Sequence, residues 1–162
     1  HARLARAADA EGAYRTALRA LERRSYARAD LGRRLVRKGH PREAAASALE
    51  RLVALGLLDD AAFAVTYVQT RASRGRGPAR LQRDLASMGV DRSVVDAAIA
   101  AHWPDGTEDS EVPLALATRR LSQLGDLPRP VQRRRLLAFL ARRGYSGYTV
   151  NAVVSRVLSA GS

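Results

Sequence analysis

One pattern recurs three times along this chain: leucine, three residues, leucine, three residues, glycine. It stands at Leu31, Leu35 and Gly39, again at Leu81, Leu85 and Gly89, and again at Leu136, Leu140 and Gly144. Leucines four apart share one face of a helix, and glycine adopts cheaply the left-handed conformation that ends one. A second apolar set follows each glycine at matching offsets. It is Ala44, Ala45, Ala48 and Leu49 in the first copy, Val94, Val95, Ala98 and Ile99 in the second, and Thr149, Val150, Val153 and Val154 in the third. These spacings again mark one helix face. Each copy therefore predicts helix, glycine stop, helix. Asp91 and Ser146 are suited to cap the second helix, and Pro41 to open one.

A further helical stretch precedes each pair. Tyr14, Ala17, Leu18 and Leu21 share one face, as do Phe63, Ala64, Tyr67 and Val68, and Leu114, Ala117, Leu121 and Leu124. No segment alternates with the period of a strand. The expected fold is all-α, a tandem repeat of three three-helix modules in an elongated, curved array. Module 1 is expected over 13–56, module 2 over 57–102 and module 3 over 111–159, with a polar Pro- and Gly-containing linker at 103–110. Modules this small bury too little surface to be comfortable alone and should lean on one another.

Asp59 and Asp60, between "LGLL" and "AAFA", raise the question of a carboxylate site. A two-carboxylate reaction or a metal site needs further ligands or a base, and the neighbourhood offers none. Asp59 stands where a helix N-cap belongs, and Asp60 adds favourable charge at the positive helix end. Both read as helix-starting residues. His1, His40 and His102 lack the spacing of a zinc site. There is no Walker lysine motif, no G-x-G-x-x-G and no nucleophile elbow. The expectation is no enzyme, with no catalytic residue, metal or cofactor.

The charge points elsewhere. The 162 residues carry 28 Lys plus Arg against 16 Asp plus Glu, a net +12, which calls for an acidic or polyanionic partner. All but one of the basic residues are arginine, a skew that coding bias explains, so the net charge informs more than the residue type. Residues 1–56 hold 13 basic and 6 acidic groups, 57–107 hold 6 and 6, and 108–162 hold 9 and 4. The neutral middle contains a concentrated run, "RASRGRGPARLQR", with Arg71, Arg74, Arg76, Arg80, Arg83 and no acid. Gly75 and Gly77 allow a tight turn there and Pro78 can open the next helix, so N–H groups at that helix start could receive a phosphate or carboxylate. Its plain alternative is a solvated loop. Arg33, Arg34, Arg37 and Lys38 surround the first repeat helix, and Arg133, Arg134, Arg135, Arg142 and Arg143 the third. Cations just before a repeat glycine also complement a helix C-terminus, so part of this charge is structural. Tyr26, Tyr67, Tyr145 and Tyr148 could stack on bases, although helical spacing puts Tyr67 and Tyr148 in the core.

No cysteine is present and no apolar run approaches a membrane span, which fits a cytoplasmic monomer with no membrane partner. The basic start lacks the apolar segment of a secretory signal. It begins at His1 and not Met, so the sequence is expected to be a trimmed piece of a longer chain.

Arg24-Ser25 before the Leu31/Leu35 helix resembles the RecX family of recombinase regulators. So do Gly56-Leu57-Leu58-Asp59-Asp60 with Phe63-Ala64 and Tyr67, and then Arg71, Gly77, Arg80, Leu81, Leu85 and Gly89-Val90. The match is close over 20–100; the last third follows the repeat pattern only. The resemblance implies a crescent of three-helix modules lying in the helical groove of the RecA filament on single-stranded DNA. It implies inhibition of strand exchange, ATP hydrolysis and co-protease activity, in DNA repair, recombination and the SOS response, without catalysis by the regulator. The shared marks are mostly packing and capping positions, so the fourteen cations named above are contact candidates on charge alone. The alternative is a protein that binds single- or double-stranded DNA directly and non-specifically, using its helix pairs as helix-turn-helix units. The second helices, "REAAASALERLVALG" and "RSVVDAAIAAH", are too alanine-rich to read bases.

Overall fold

A computed structural model describes residues 1–104 and 110–161, with only the backbone of Tyr148. Most of the expected linker (105–109) therefore lies outside the described residues, as does the Tyr148 side chain. Among the described residues the chain forms nine α-helices and no strand. They are α1 (Ala2–Arg23), α2 (Arg28–Arg37), α3 (Arg42–Ala54), α4 (Asp60–Ala72), α5 (Pro78–Ser87), α6 (Arg92–His102), α7 (Glu111–Leu124), α8 (Arg129–Arg142) and α9 (Tyr148–Ala160). Three consecutive trios repeat the expected order.

The six repeat leucines, Leu31, Leu35, Leu81, Leu85, Leu136 and Leu140, are each 0% exposed. Burying a leucine is worth ~1.5–3 kcal/mol, so these positions dominate local stability. The chain divides into two compact units, His1–Thr66 with Leu85–Val95, and Tyr67–Asp84 with Asp96–Ser162. In the first, α1 supplies Ala17 and Ala20 to a core with Leu31, Leu35, Leu49, Leu52 and Leu58, flanked by Tyr14, Leu18 and Leu21. In the second, Ala117, Leu136, Leu140, Val150, Val153, Val154 and Leu158 form an aliphatic core closed by Tyr145.

The repeat glycines end their helices in one way. Gly39, Gly89 and Gly144 have φ of 98°, 80° and 95°. The N–H of the next residue reaches back to the repeat leucine's carbonyl: His40 to Leu35 at 3.1 Å, Val90 to Leu85 at 3.1 Å, and Tyr145 to Leu140 at 2.9 Å. This is the Schellman arrangement, which satisfies carbonyls that a helix end leaves open.

Two of these turns also form joints between successive trios. Within the first unit, a Cβ on Gly89 would stand 2.6 Å from the Ala29 Cβ, and Arg33 Nη2 donates to the Ser87 carbonyl at 3.0 Å. Within the second, a Cβ on Gly144 would stand 2.5 Å from both the Arg80 Cβ and backbone nitrogen, and Arg80 Nη1 donates to the Arg142 carbonyl at 3.3 Å. The first turn of α2 or α5 thus lies on the glycine turn of the following trio. Gly39 has no preceding trio, and a Cβ there would meet nothing within 4 Å.

Three sequence expectations need correction. The first helix begins at Ala2 and not near residue 13, because its alanine-rich start propagates helix although residues 2–9 are all exposed. Ser146 does not cap α9; Gly147 takes the N-cap position, at φ 86°. Pro41 precedes α3 as its N-cap residue, with its carbonyl taking the Ala45 N–H.

Candidate partner-binding basic surface

The acidic pair resolves into two helix starts. The Asp59 carboxylate accepts the Ala62 N–H at 3.1 Å and its carbonyl takes the Phe63 N–H at 2.9 Å, so Asp59 caps α4. Asp60 does something local pattern did not reveal. Its Oδ1 accepts the Arg28 N–H at 2.8 Å, satisfying one of the N–H groups left open at the start of α2, where the N-cap, Ala27, has no polar side chain.

The 71–83 run is built around an acid one residue beyond it. Asp84 Oδ2 accepts from Arg76 Nη1 at 2.7 Å and from the Tyr67 hydroxyl at 3.1 Å, while Oδ1 accepts from Arg80 Nε at 3.2 Å. Arg76 Nη1 also donates to the Tyr67 oxygen at 3.1 Å, and the Arg71 guanidinium stacks 4.3 Å from the Tyr67 ring centre. Burial of Tyr67, then the Asp84 charge and hydrogen bond, raise the phenol above its ordinary pKa. The i,i+4 spacing of Arg80 and Asp84 on α5 was the available signal.

The turn itself is not an anion cradle. The Gly77 N–H is taken by the Arg143 carbonyl at 2.6 Å and the Ala79 N–H by the Gly144 carbonyl at 3.3 Å, and Pro78 has no N–H. Gly77 is needed there because a Cβ would stand 2.6 Å from the Gly144 oxygen. The start of α5 is spent on a joint.

The remaining cations sort by what holds them. Arg33 pairs with Asp30 at 3.8 Å besides bonding Ser87, and Arg34 is half-buried beside Tyr26. Arg133 Nη1 donates to the Ser155 hydroxyl at 3.1 Å. Arg143 lies half-buried, 5.3 Å from the Phe139 ring centre. Arg37, Lys38, Arg74, Arg83, Arg134, Arg135 and Arg142 are exposed, and no salt bridge among the described residues engages their side chains. Three of the four tyrosines are not stacking platforms: Tyr26 is 7% exposed and Tyr145 2%, and Tyr67 is buried as its spacing suggested. Tyr26 instead carries the Arg24 guanidinium at 3.9 Å. Sequence reasoning passed over Arg120, which lies 5.3 Å from the centre of the same Phe139 ring that Arg143 approaches.

His40 is half-buried, its Nε2 2.8 Å from the Thr16 hydroxyl, and His102 packs edge-on against Trp103. Among the described residues no group of three metal-ligating side chains gathers, and no helix is long and apolar enough to cross a membrane.

Three family models match in order along the chain. RecX, first three-helix domain, matches residues 13–52; RecX, second three-helix domain, 59–99; and RecX, third three-helix domain, 108–154. A regulatory protein RecX of Xanthomonas oryzae pv. oryzae (strain MAFF 311018) is 38% identical over 136 residues, 84% of this chain and 82% of its own length. Another, of Mycobacterium ulcerans (strain Agy99), is 39% identical over 145 residues, 88% of this chain and 83% of its own. A crystal structure of regulatory protein RecX superposes with TM-score 0.82 at 23% identity, covering 98% of this chain and 75% of that one. The crystal structure of RecX from Lactobacillus salivarius gives TM-score 0.80 at 19% identity, covering 93% and 97%. The two structures speak for the fold alone.

Proposed function

The chain belongs to the RecX family of regulatory proteins, and from that premise we propose that it acts on the RecA filament assembled on single-stranded DNA. It lies in the filament's helical groove as a monomer and restrains strand exchange, ATP hydrolysis and co-protease activity. It performs no chemistry of its own and works in the cytoplasm. The supporting observation is the charge left over after internal pairing. Arg37 and Lys38 in the first trio, Arg74 and Arg83 in the second, and Arg134, Arg135 and Arg142 in the third are exposed and unpaired among the described residues. Each such cation is worth little alone, but a set spread over three trios can meet an acidic groove at several points and govern association rate and salt sensitivity.

Binding to purified RecA, with and without single-stranded DNA and beside DNA alone, tests this reading. Filament is expected to bind far more tightly than bare DNA at physiological salt. Equal affinity for bare DNA with or without recombinase would favour the direct DNA-binding alternative instead.

A further inference from the structure

The exposed surface differs in chemistry between the two compact units. The large hydrophobic side chains that stand exposed are Leu4, Val36, Val53, Leu55 and Leu57, all within residues 1–66 of the first unit. The described part of the second unit offers none, yet it holds an arginine cluster centred on Phe139. The guanidiniums of Arg120, from α7, and Arg143, after α8, each lie 5.3 Å from the centre of that one ring. They are therefore at most about twice that distance apart, comparable with the ~8–10 Å Debye length of physiological solution, so their repulsion is not fully screened. Arg135 and Arg142 stand four residues before and three after Phe139, on the same face of α8.

Nothing described neutralises this cluster. Arg120 Nη1 donates to the Gln123 amide oxygen at 3.0 Å, its Nε is buried without a hydrogen-bond partner, and no salt bridge among the described residues involves Arg120, Arg135, Arg142 or Arg143. Guanidiniums stacked on a ring are held in place and keep donors for planar acceptors such as phosphate. A protein partner is ordinarily anchored by apolar or aromatic side chains amid the charge, and the described surface here lacks exposed ones. A phosphodiester strand needs none.

We propose that the Arg120–Phe139–Arg143 cluster, extended by Arg135 and Arg142, binds the phosphates of a single nucleic-acid strand. This adds a direct strand contact to the filament reading and does not depend on it. Binding of a fluorescent oligothymidylate at low salt, without recombinase, tests the proposal, with polyglutamate as the acidic-polypeptide control. Arg120→Gln with Arg143→Gln is expected to weaken oligothymidylate binding at least tenfold and to reduce the slope of log affinity against log salt by ~1.4, at ~0.7 for each lost phosphate contact. Polyglutamate binding should change far less. Arg135→Gln with Arg142→Gln, both exposed and unpaired, provides a second variant that keeps the two guanidiniums over the Phe139 ring, and the same direction is expected. Unchanged affinity and slope in folded variants, or an equal loss toward polyglutamate, would overturn the assignment.

Discussion

The Asp60 carboxylate accepts the backbone N–H of Arg28 at 2.8 Å, so an acid at the start of α4 completes the start of α2, 32 residues earlier in the chain. Its neighbour Asp59 caps its own helix. Replacing Asp59 by alanine is expected to lower stability by ~0.5–2 kcal/mol, the range of a lost N-cap. Asp60→Ala should cost a similar ~1–2 kcal/mol, since the bond lost is charge-assisted. Urea unfolding measures both. Asp60→Asn, which keeps an oxygen acceptor, should restore part of the loss. Filament inhibition is expected to persist in each variant while it stays folded; its loss in a folded Asp59→Ala protein would reinstate a direct site role.

Asp84 should matter more than any one of the arginines around it. Its side chain is 17% exposed and holds Arg76, Arg80 and Tyr67 together. Asp84→Ala is expected to cost ~2–4 kcal/mol, because one change removes several charge-assisted bonds and leaves Arg76 and Arg80 facing each other, though both remain partly solvated. Arg76→Glu or Arg80→Glu would confront Asp84 with a like charge and lower the melting temperature. Arg74→Glu and Arg83→Glu should leave it unchanged and weaken only partner binding. A test of the contact surface that reversed Arg76 or Arg80 would confound folding with recognition.

What the sequence made legible follows from periodicity. The Leu-xxx-Leu-xxx-Gly pattern located the six buried leucines and three left-handed turns because both depend on residues within one turn of each other. Asp59 was readable for the same reason. Asp60 was not, since its partner Arg28 comes close only through tertiary packing. The run 71–83 looked like free charge because Asp84 falls one position past its end and Tyr67 lies on the preceding helix. The Phe139 cluster was hidden because Arg120 comes from α7 while Phe139 and Arg143 lie on and just after α8, and only folding brings Arg120 to that ring.

Tyr67 gives the structure a signature in alkaline solution. Its phenol is raised above 10.0 by burial and by Asp84, so the folded state holds the proton more tightly than the unfolded chain. A group raised in this way contributes stability that is fully present below its unfolded value, near 10. That stability declines as pH rises from there through the folded value. Unfolding free energy measured from pH 8 to 11.5 should therefore fall more steeply for the parent than for Tyr67→Phe above about pH 10. Parallel curves would show that the hydroxyl carries no such linkage.

The repeat glycines allow the joint between trios to be tested apart from the turn itself. Gly39, Gly89 and Gly144 share a positive φ, so alanine at any of them should cost ~1–2 kcal/mol in backbone strain. At Gly39 nothing lies within 4 Å of the new Cβ, and strain is the whole expected cost. At Gly89 the methyl meets the Ala29 Cβ at 2.6 Å, and at Gly144 it meets Arg80, including its backbone nitrogen, at 2.5 Å. Overpacking of that kind adds ~1–3 kcal/mol, so the losses should rank Gly39 below Gly89 and Gly89 at or below Gly144. The two joints differ in what can give way. Ala29→Gly removes the atom that Gly89→Ala strikes, and the double variant should recover much of the added loss despite the ~1 kcal/mol cost of glycine in a helix. No side-chain change at Arg80 removes its backbone nitrogen, so Arg80→Gly should not rescue Gly144→Ala in the same way. Equal losses at all three glycines, or strictly additive effects of Ala29→Gly and Gly89→Ala, would show that the turns matter only for ending their helices.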